Sequence, residues 1–354
     1  MRIGILTFHR ALNYGAVLQC FALQKLLTDW GHDVWVIDYR QPYIEAKRMA
    51  FTFKQLFAME GINAKIDYIK KRKKRKIQIN KAKKAFDDFI LNELRTTHKC
   101  DNNDIPQDFD AYIIGSDQLW SENCLGGKFD YVYLAKFKHN INAKTIGYAI
   151  SINRQSLDNI CKWHIDIVNN FSHLSLREDF AAKEISRLSQ SNVGLTIDPT
   201  LLLDSSFWDN LTNDNFKEKK YVFLYQVRGN RDILYQKAKL LAEKLDCQLI
   251  GTKGNKISVQ DFISAIKYAR CVITSSFHAT AFSIIFHKPF YAFKLNDGKD
   301  ARYVEMMDKL GLKNYHVDTD FQPLNIPPTL PENLNDRLKQ FRKPSLDFLK
   351  NALG

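Results

Sequence analysis

Short apolar runs alternate with longer stretches of helical period along most of the chain. Arg2–Phe8 reads as a strand, and Tyr14–Trp30 follows with apolar residues at Val17, Leu18, Phe21, Leu23 and Leu26, the spacing of a helix. Gly31 is placed to end that helix, and Asp33–Tyr39 is a second strand. Such a βαβ opening builds a parallel sheet with helices on both faces. Residues 65–84 contain no Pro or Gly and lead into Ala85–Leu94, so they read as one helix. Strands are expected near Ala111–Gly115, Thr145–Ile150, His173–Leu176 and Gly194–Ile197, with a helix over Glu178–Leu188. A second series starts at Tyr221–Val227, a strand. It continues with a helix at Ile233–Leu245, a strand at Gln248–Gly251, a helix at Ser258–Tyr268, a strand at Cys271–Thr274, a helix at His278–His287 and a strand at Phe290–Phe293. The pattern predicts an α/β protein of two doubly wound, Rossmann-like domains facing a cleft. Residues 1–210 form the first, with a basic helical insert at 65–94, and residues 211–335 form the second. A tail, 336–354, follows Pro323, Pro327, Pro328 and Pro331 and ends in a short helix near Ser345–Ala352 that is expected to pack back on the first domain. In doubly wound sheets ligands sit at the carboxyl ends of the strands.

Composition narrows the classes without naming one. The 354 residues are 45% hydrophobic and 26% charged, enough for packed cores. No apolar run approaches the roughly 20 residues needed to span a bilayer, and the N-terminus lacks the pattern of a signal peptide. The six cysteines, Cys20, Cys100, Cys124, Cys161, Cys247 and Cys271, form no CxxC pair, which reads as reduced thiols in a cytoplasmic protein with no metal site. The net charge of +13 is concentrated: residues 65–84 hold eleven Lys or Arg and one Asp. That helix reads as a solvated surface, as a contact for an anionic membrane on which the protein is peripheral, or as a nucleic-acid patch. The last is not expected, because no aromatic platform accompanies the charge.

Polar residues at strand ends are the candidate chemistry. Thr7-Phe8-His9-Arg10 follows the first strand, and Asn13-Tyr14-Gly15 opens the next helix, with Asn13 as N-cap and Gly15 permitting close backbone approach. Gly115-Ser116-Asp117-Gln118 ends another strand, Arg177 tops the strand His173–Leu176, and Asp198-Pro199-Thr200 ends the next. Ser275, Ser276, His278 and Ala279 lie where a buried strand turns into a helix, and a helix N-terminus is an anion site. Histidine is also the side chain best suited to proton transfer near neutral pH.

Taken in order, NYGAVLQCFALQKLL, GSDQLW, SLRE, DPTLLL with Trp208, TSSFHATAFSIIFHKPF and Ala301-Arg302 resemble the polysaccharide pyruvyl transferase family over roughly residues 1–315. The family more often has Gly where this chain has Ala279, and the basic insert is not part of its pattern. The resemblance implies a fold similar to B-type glycosyltransferases, phosphoenolpyruvate as donor, no required cofactor or metal, and a cyclic pyruvate ketal as product. It implies a sugar or lipid-linked oligosaccharide acceptor from capsule, exopolysaccharide or cell-wall synthesis. On that basis Arg177, Ser275, Ser276 and Ala279, then Arg228 and Lys288, are expected to bind the donor. Asn13, Tyr14, Gly15, Asp117 and Gln118 are expected at the acceptor. His278 is the expected general acid and Asp117 the base or hydroxyl anchor. A sugar-nucleotide glycosyltransferase of the same fold, and a non-enzymatic glycan- or membrane-binding protein, remain the alternatives.

Overall fold

The computed structural model describes residues 1–48, 62–227, 229, 231–251, 257–295, 301–322 and 329–354, and for 62–75, 231 and 301–303 the backbone alone. Among these residues the first domain is a seven-stranded parallel sheet in the order β3-β2-β1-β4-β5-β6-β7. Its strands are β1 (Arg2–Leu6), β2 (Asp33–Tyr39), β3 (Thr96–Cys100), β4 (Ala111–Asp117), β5 (Lys144–Ile150), β6 (His173–Leu176) and β7 (Val193–Leu195). The second domain is a five-stranded parallel sheet in the order β12-β11-β10-β8-β9. It comprises β8 (Tyr221–Tyr225), β9 (Gln248–Gly251), β10 (Cys271–Thr274), β11 (Phe290–Phe293) and β12 (His316–Val317). The expected two-domain α/β fold is therefore the fold observed. β4 is buried along its whole length, as a strand covered on both faces must be.

Each sheet reverses direction once. In the first the chain moves outward from β1 through β2 to β3 and then returns to the other side of β1 as β4. In the second it moves from β8 to β9 and returns as β10. The crevices at these two points, outside the carboxyl ends of β1/β4 and β8/β10, are where this architecture holds ligands.

The helix α1 (Tyr14–Asp29) joins the two halves. It is buried almost all round, because one face lies on the first sheet and the other meets the second domain. Tyr14 stacks on Phe262 at 4.2 Å between centroids, and Phe21, Trp208 and Phe282 continue the seam at 5.9 and 4.8 Å. One apolar core thus runs under both domains. Asn13 caps α1 by accepting from the Gly15 amide at 3.0 Å, and Gly31, with φ +87°, follows its end.

The remaining helices are α2 (Pro42–Arg48), α3 (Ile62–Glu93), α4 (Arg154–Trp163), α5 (Asp179–Ser189), α6 (Ser205–Asp209), α7 (Arg231–Lys244), α8 (Val259–Lys267), α9 (Phe277–Ile285), α10 (Ala301–Lys309) and α11 (Leu334–Leu353). The basic insert is one 32-residue helix, seated at its far end by Ala82, Phe86, Phe89 and Ile90. The last helix is a correction. It is not short but 20 residues long, and it runs through Pro344. Proline removes one backbone donor and crowds the preceding turn. Packing on both sides of it, by Leu334 and Leu338 and by Leu349 and Leu353, holds the helix regardless. α11 lies against the first domain: Ser345 Oγ accepts from the Ile197 amide at 2.9 Å, and Lys144 Nζ donates to the Leu353 carbonyl at 2.9 Å.

Candidate active site

The polar strand ends converge on one buried carboxylate, Asp198. It follows β7, and its side chain has no solvent exposure. Oδ1 accepts from the Thr200 amide at 2.9 Å and from the Thr200 hydroxyl at 2.7 Å. Oδ2 meets Arg177 Nη2 at 2.7 Å and His278 Nε2 at 3.2 Å. Arg177 comes from the end of β6 in the first domain and His278 from the first turn of α9 in the second, so Asp198 ties the two halves of the cleft together. Burial alone would raise the Asp198 carboxyl. The Arg177 charge, His278 and the Thr200 hydrogen bond outweigh it and hold the group well below the usual carboxylate range.

Arg177 is the least satisfied member. Its Nη2 also donates to Ser116 Oγ, and its guanidinium sits 5.5 Å from the Phe277 ring. Yet Nε and Nη1 are buried with no partner, in a side chain 4% exposed. Leaving such donors unmet costs about 1–3 kcal/mol each, so the arrangement is one that an anion completes. Arg177, Asp198 and Phe277 line a cavity of about 310 Å³, whose far wall is α10 and α11 with Lys309, Arg337 and Gln340.

His278 packs against α1. A Cβ on Gly15 would lie 1.9 Å from His278 Nδ1 and 2.1 Å from Cε1. The close approach read from Gly15 is therefore made by the imidazole, not by a ligand. Since an ionised carboxylate only accepts, Nε2 carries the proton shared with Asp198, and Nδ1 is the nitrogen left toward Gly15.

The acceptor-side residues separate into two groups. Asn13, Asp117 and Gln118 line a second cavity of about 280 Å³ at the β1/β4 crevice, with Phe8, Ile44, Lys47 and Arg48. Asp117 stands in the left-handed region at φ +70°, and Ser116, next to it, reaches Arg177. Tyr14 does not join them. Its hydroxyl donates to the Ile257 carbonyl at 2.9 Å and its ring is in the interdomain seam, which makes it a packing residue.

On the donor side, Ser276 is the N-cap of α9, accepting from the Ala279 amide, and Ser275 and Ala279 are fully buried beside it. Lys288 is a correction: it lies past the opposite end of α9, just before β11, and so at the amino-terminal ends of the strands, away from the carboxyl ends. Burial, then the charge of Lys267, lowers its ammonium pKa. Arg228 lies outside the described residues. The polar run after β1 has a structural use: His9, pushed down by burial, bonds Asp38 at 3.0 Å, and Arg10 and Arg40 complete that cluster.

Asp198 and Ser116 were the residues that motif reading left without a role. The available signal was an acid and a hydroxyl at strand ends, which the order of strands in the first sheet brings together on Arg177 and to which the second domain adds His278.

Two Rossmann-like domains, each a parallel sheet with its own switch point, are the architecture of B-type glycosyltransferases. Within it, the chain belongs to the polysaccharide pyruvyl transferase family, which it matches over residues 13–297. That family makes it a transferase acting on polysaccharide, in glycan pyruvylation. Among solved structures, it is similar to an uncharacterized protein from Klebsiella pneumoniae at 17% identity, covering 68% of this chain and 86% of that one, with a TM-score of 0.40. It is also similar to UDP-GlcNAc 2-epimerase from Methanocaldococcus jannaschii, at 11% identity over 100% of both chains and a TM-score of 0.47. A spinosyn forosaminyltransferase aligns at 8% identity over 99% of this chain and 94% of that one, with a TM-score of 0.37. No curated protein matches significantly.

Proposed function

We propose that the protein transfers the pyruvyl group of phosphoenolpyruvate to two hydroxyls of a sugar, forming a cyclic ketal and releasing phosphate. The observation that carries this reading is Arg177: a buried guanidinium with two unmet donors beside a cavity, within one carboxylate of a histidine. The donor's carboxylate or phosphate completes that fork, and the start of α9 at Ser275–Ala279 faces the other anion. His278 protonates the methylene carbon, giving the methyl group. One acceptor hydroxyl adds to the cationic carbon, phosphate leaves, and the second hydroxyl closes the ring. Two hydroxyl protons are lost; one balances the proton delivered to carbon and one leaves with phosphate. Asp117 anchors or deprotonates a hydroxyl, with Asn13 and Gln118 orienting the sugar in the same cavity.

Purified protein with phosphoenolpyruvate, a chelator and a panel of galactoside and mannosamine-type acceptors is expected to release phosphate only when an acceptor is present. The sugar should gain the mass of one pyruvate less water. Stabilisation by a sugar nucleotide and none by phosphoenolpyruvate would transfer the assignment to a glycosyltransferase.

The same reading gives the basic helix a use. Asp87 of α3 pairs with Arg48 and Arg10 beside the acceptor cavity, so α3 is rooted at that cavity's rim. The proposal is that residues 65–84 rest on an anionic lipid surface, bringing the cavity to a lipid-linked acceptor at the inner face of the membrane. No helix among the described residues is long and apolar enough to cross a membrane. At about 1 kcal/mol per cation near the surface, replacing the charges of Lys70–Lys76 by glutamine should release the protein from anionic liposomes. Equal co-sedimentation of both versions would remove the membrane from the proposal.

A further inference from the structure

We propose that Ser116 is a positioning residue for the donor clamp: its buried hydroxyl fixes the plane of the Arg177 guanidinium in which the two unmet donors take the anion. The inference rests on the donor reading above and deepens it.

Arg177 follows β6, and Ser116 lies near the end of β4, with β5 between them. Neighbouring strands are about 4.8 Å apart, so the side chain spans roughly 10 Å across the carboxyl ends of the sheet. Nη2 carries two hydrogens and has two acceptors, Asp198 Oδ2 at 2.7 Å and Ser116 Oγ. One bond from Nη2 would leave the planar group free to swing about it. Two bonds in different directions fix the plane, and with it the directions of Nε and Nη1, the buried donors without a partner.

The hydroxyl is itself held as an acceptor. Ser116 Oγ donates its only hydrogen to the Ala149 carbonyl of β5 at 3.1 Å, which leaves its lone pairs for Arg177. The backbone around it is pinned from two sides. The Ser116 amide donates to Gln19 Oε1 at 3.2 Å, and the Ser116 carbonyl accepts from the Thr7 hydroxyl at 3.2 Å. Gln19 Nε2 closes the circuit by donating to Thr7 Oγ1 at 2.7 Å. Gln19, Thr7 and Ser116 are all buried, where a fully satisfied network is rigid. The next residue, Asp117, lines the acceptor cavity, so one dipeptide sets clamp and acceptor in register.

Ser116 is also the neutral half of the support. Removing its hydroxyl leaves Asp198 on Arg177 and leaves the charges of the cavity's far wall, Glu305, Lys309 and Arg337, as they are. Glu305 stays paired with Lys309 at 2.9 Å, and Arg337 stays on the Leu310 carbonyl at 2.9 Å. A loss of anion binding in Ser116→Ala is therefore a loss of orientation, not of charge.

Calorimetric titration of the full-length protein measures it, with phosphoenolpyruvate and, separately, inorganic phosphate as probes. The proteins are wild type, Ser116→Ala, Arg177→Lys and the double variant. Lysine keeps the charge and loses the fork, so Ser116 has no plane left to hold. Ser116→Ala is expected to weaken anion binding about tenfold, the worth of one hydrogen bond to a charged group, in a protein that a thermal melt shows to be folded. In the Arg177→Lys background the same change should weaken binding by less than about twofold, whereas a serine that merely stabilises the fold would act equally in both. Should alanine prevent folding, Ser116→Cys, whose sulfur accepts only weakly, carries the same comparison. Binding by Ser116→Ala like that of wild type, or equal losses in both backgrounds, overturns the proposal. The expected pattern with phosphate but no binding of phosphoenolpyruvate keeps the role of Ser116 and retires the donor reading. Binding of neither probe by wild type overturns both.

Discussion

Replacing His278 with glutamine is expected to lower turnover by a factor of about 10²–10⁴, the usual worth of a general acid, while leaving the chain folded. The amide keeps a donor for Asp198 Oδ2, which now bonds His278 Nε2 at 3.2 Å, so the buried carboxylate is not stranded. Alanine at the same position removes that donor and leaves the carboxylate with Arg177 and Thr200 alone, at a cost of about 1–3 kcal/mol in stability. Glutamine therefore separates chemistry from folding. Single-turnover phosphate release and a thermal melt on the same preparation check both halves. Turnover within a few-fold of wild type would take His278 out of the proton transfer.

Gly15→Ala is expected to be as damaging, for a reason no motif states. Gly15 is helical, in the first turn of α1, and alanine there would ordinarily favour the helix by about 1 kcal/mol. Here the new Cβ would fall 1.9 Å from His278 Nδ1, far inside contact distance. The ring must turn off Asp198 or the two domains must part, and either breaks the His278–Asp198 contact that holds the imidazole in place. Turnover should fall by about the same 10²–10⁴ as on removing the imidazole, and the melting temperature should not rise. Adding His278→Ala to Gly15→Ala removes the obstruction, so the pair should be less destabilised than the sum of the single changes, the mark of directly coupled residues. An active, stabilised Gly15→Ala protein would mean that the imidazole stands elsewhere during catalysis.

Most of the architecture was legible because parallel α/β units repeat a simple physical pattern. β2, β6, β9, β10 and β11 coincide with apolar runs bounded by turn residues, and α1 carries an apolar helical period ended by Gly31. Less legible were β3, Thr-Thr-His-Lys-Cys, and the two-residue β12, which lie at sheet edges and carry little apolar signal. The long α11 was hidden by Pro344, since a local rule about proline cannot register the contacts that hold both flanking segments.

The candidate site divides along the same line. From one dimension came the polar strand ends, the helix start at Ser276 and the histidine in its first turn, because these follow from local geometry and residue chemistry. Tertiary structure decided which of them meet. It brought Arg177 and His278, 101 positions apart in the chain, onto one carboxylate, and filled the space over Gly15 with an imidazole. It also turned Tyr14 into the interdomain seam and left Lys288 at the far end of its helix. Periodicity reports which face of an element is buried. Which polar group a buried face will meet depends on how two domains close on each other, and that is a property of the packed chain alone.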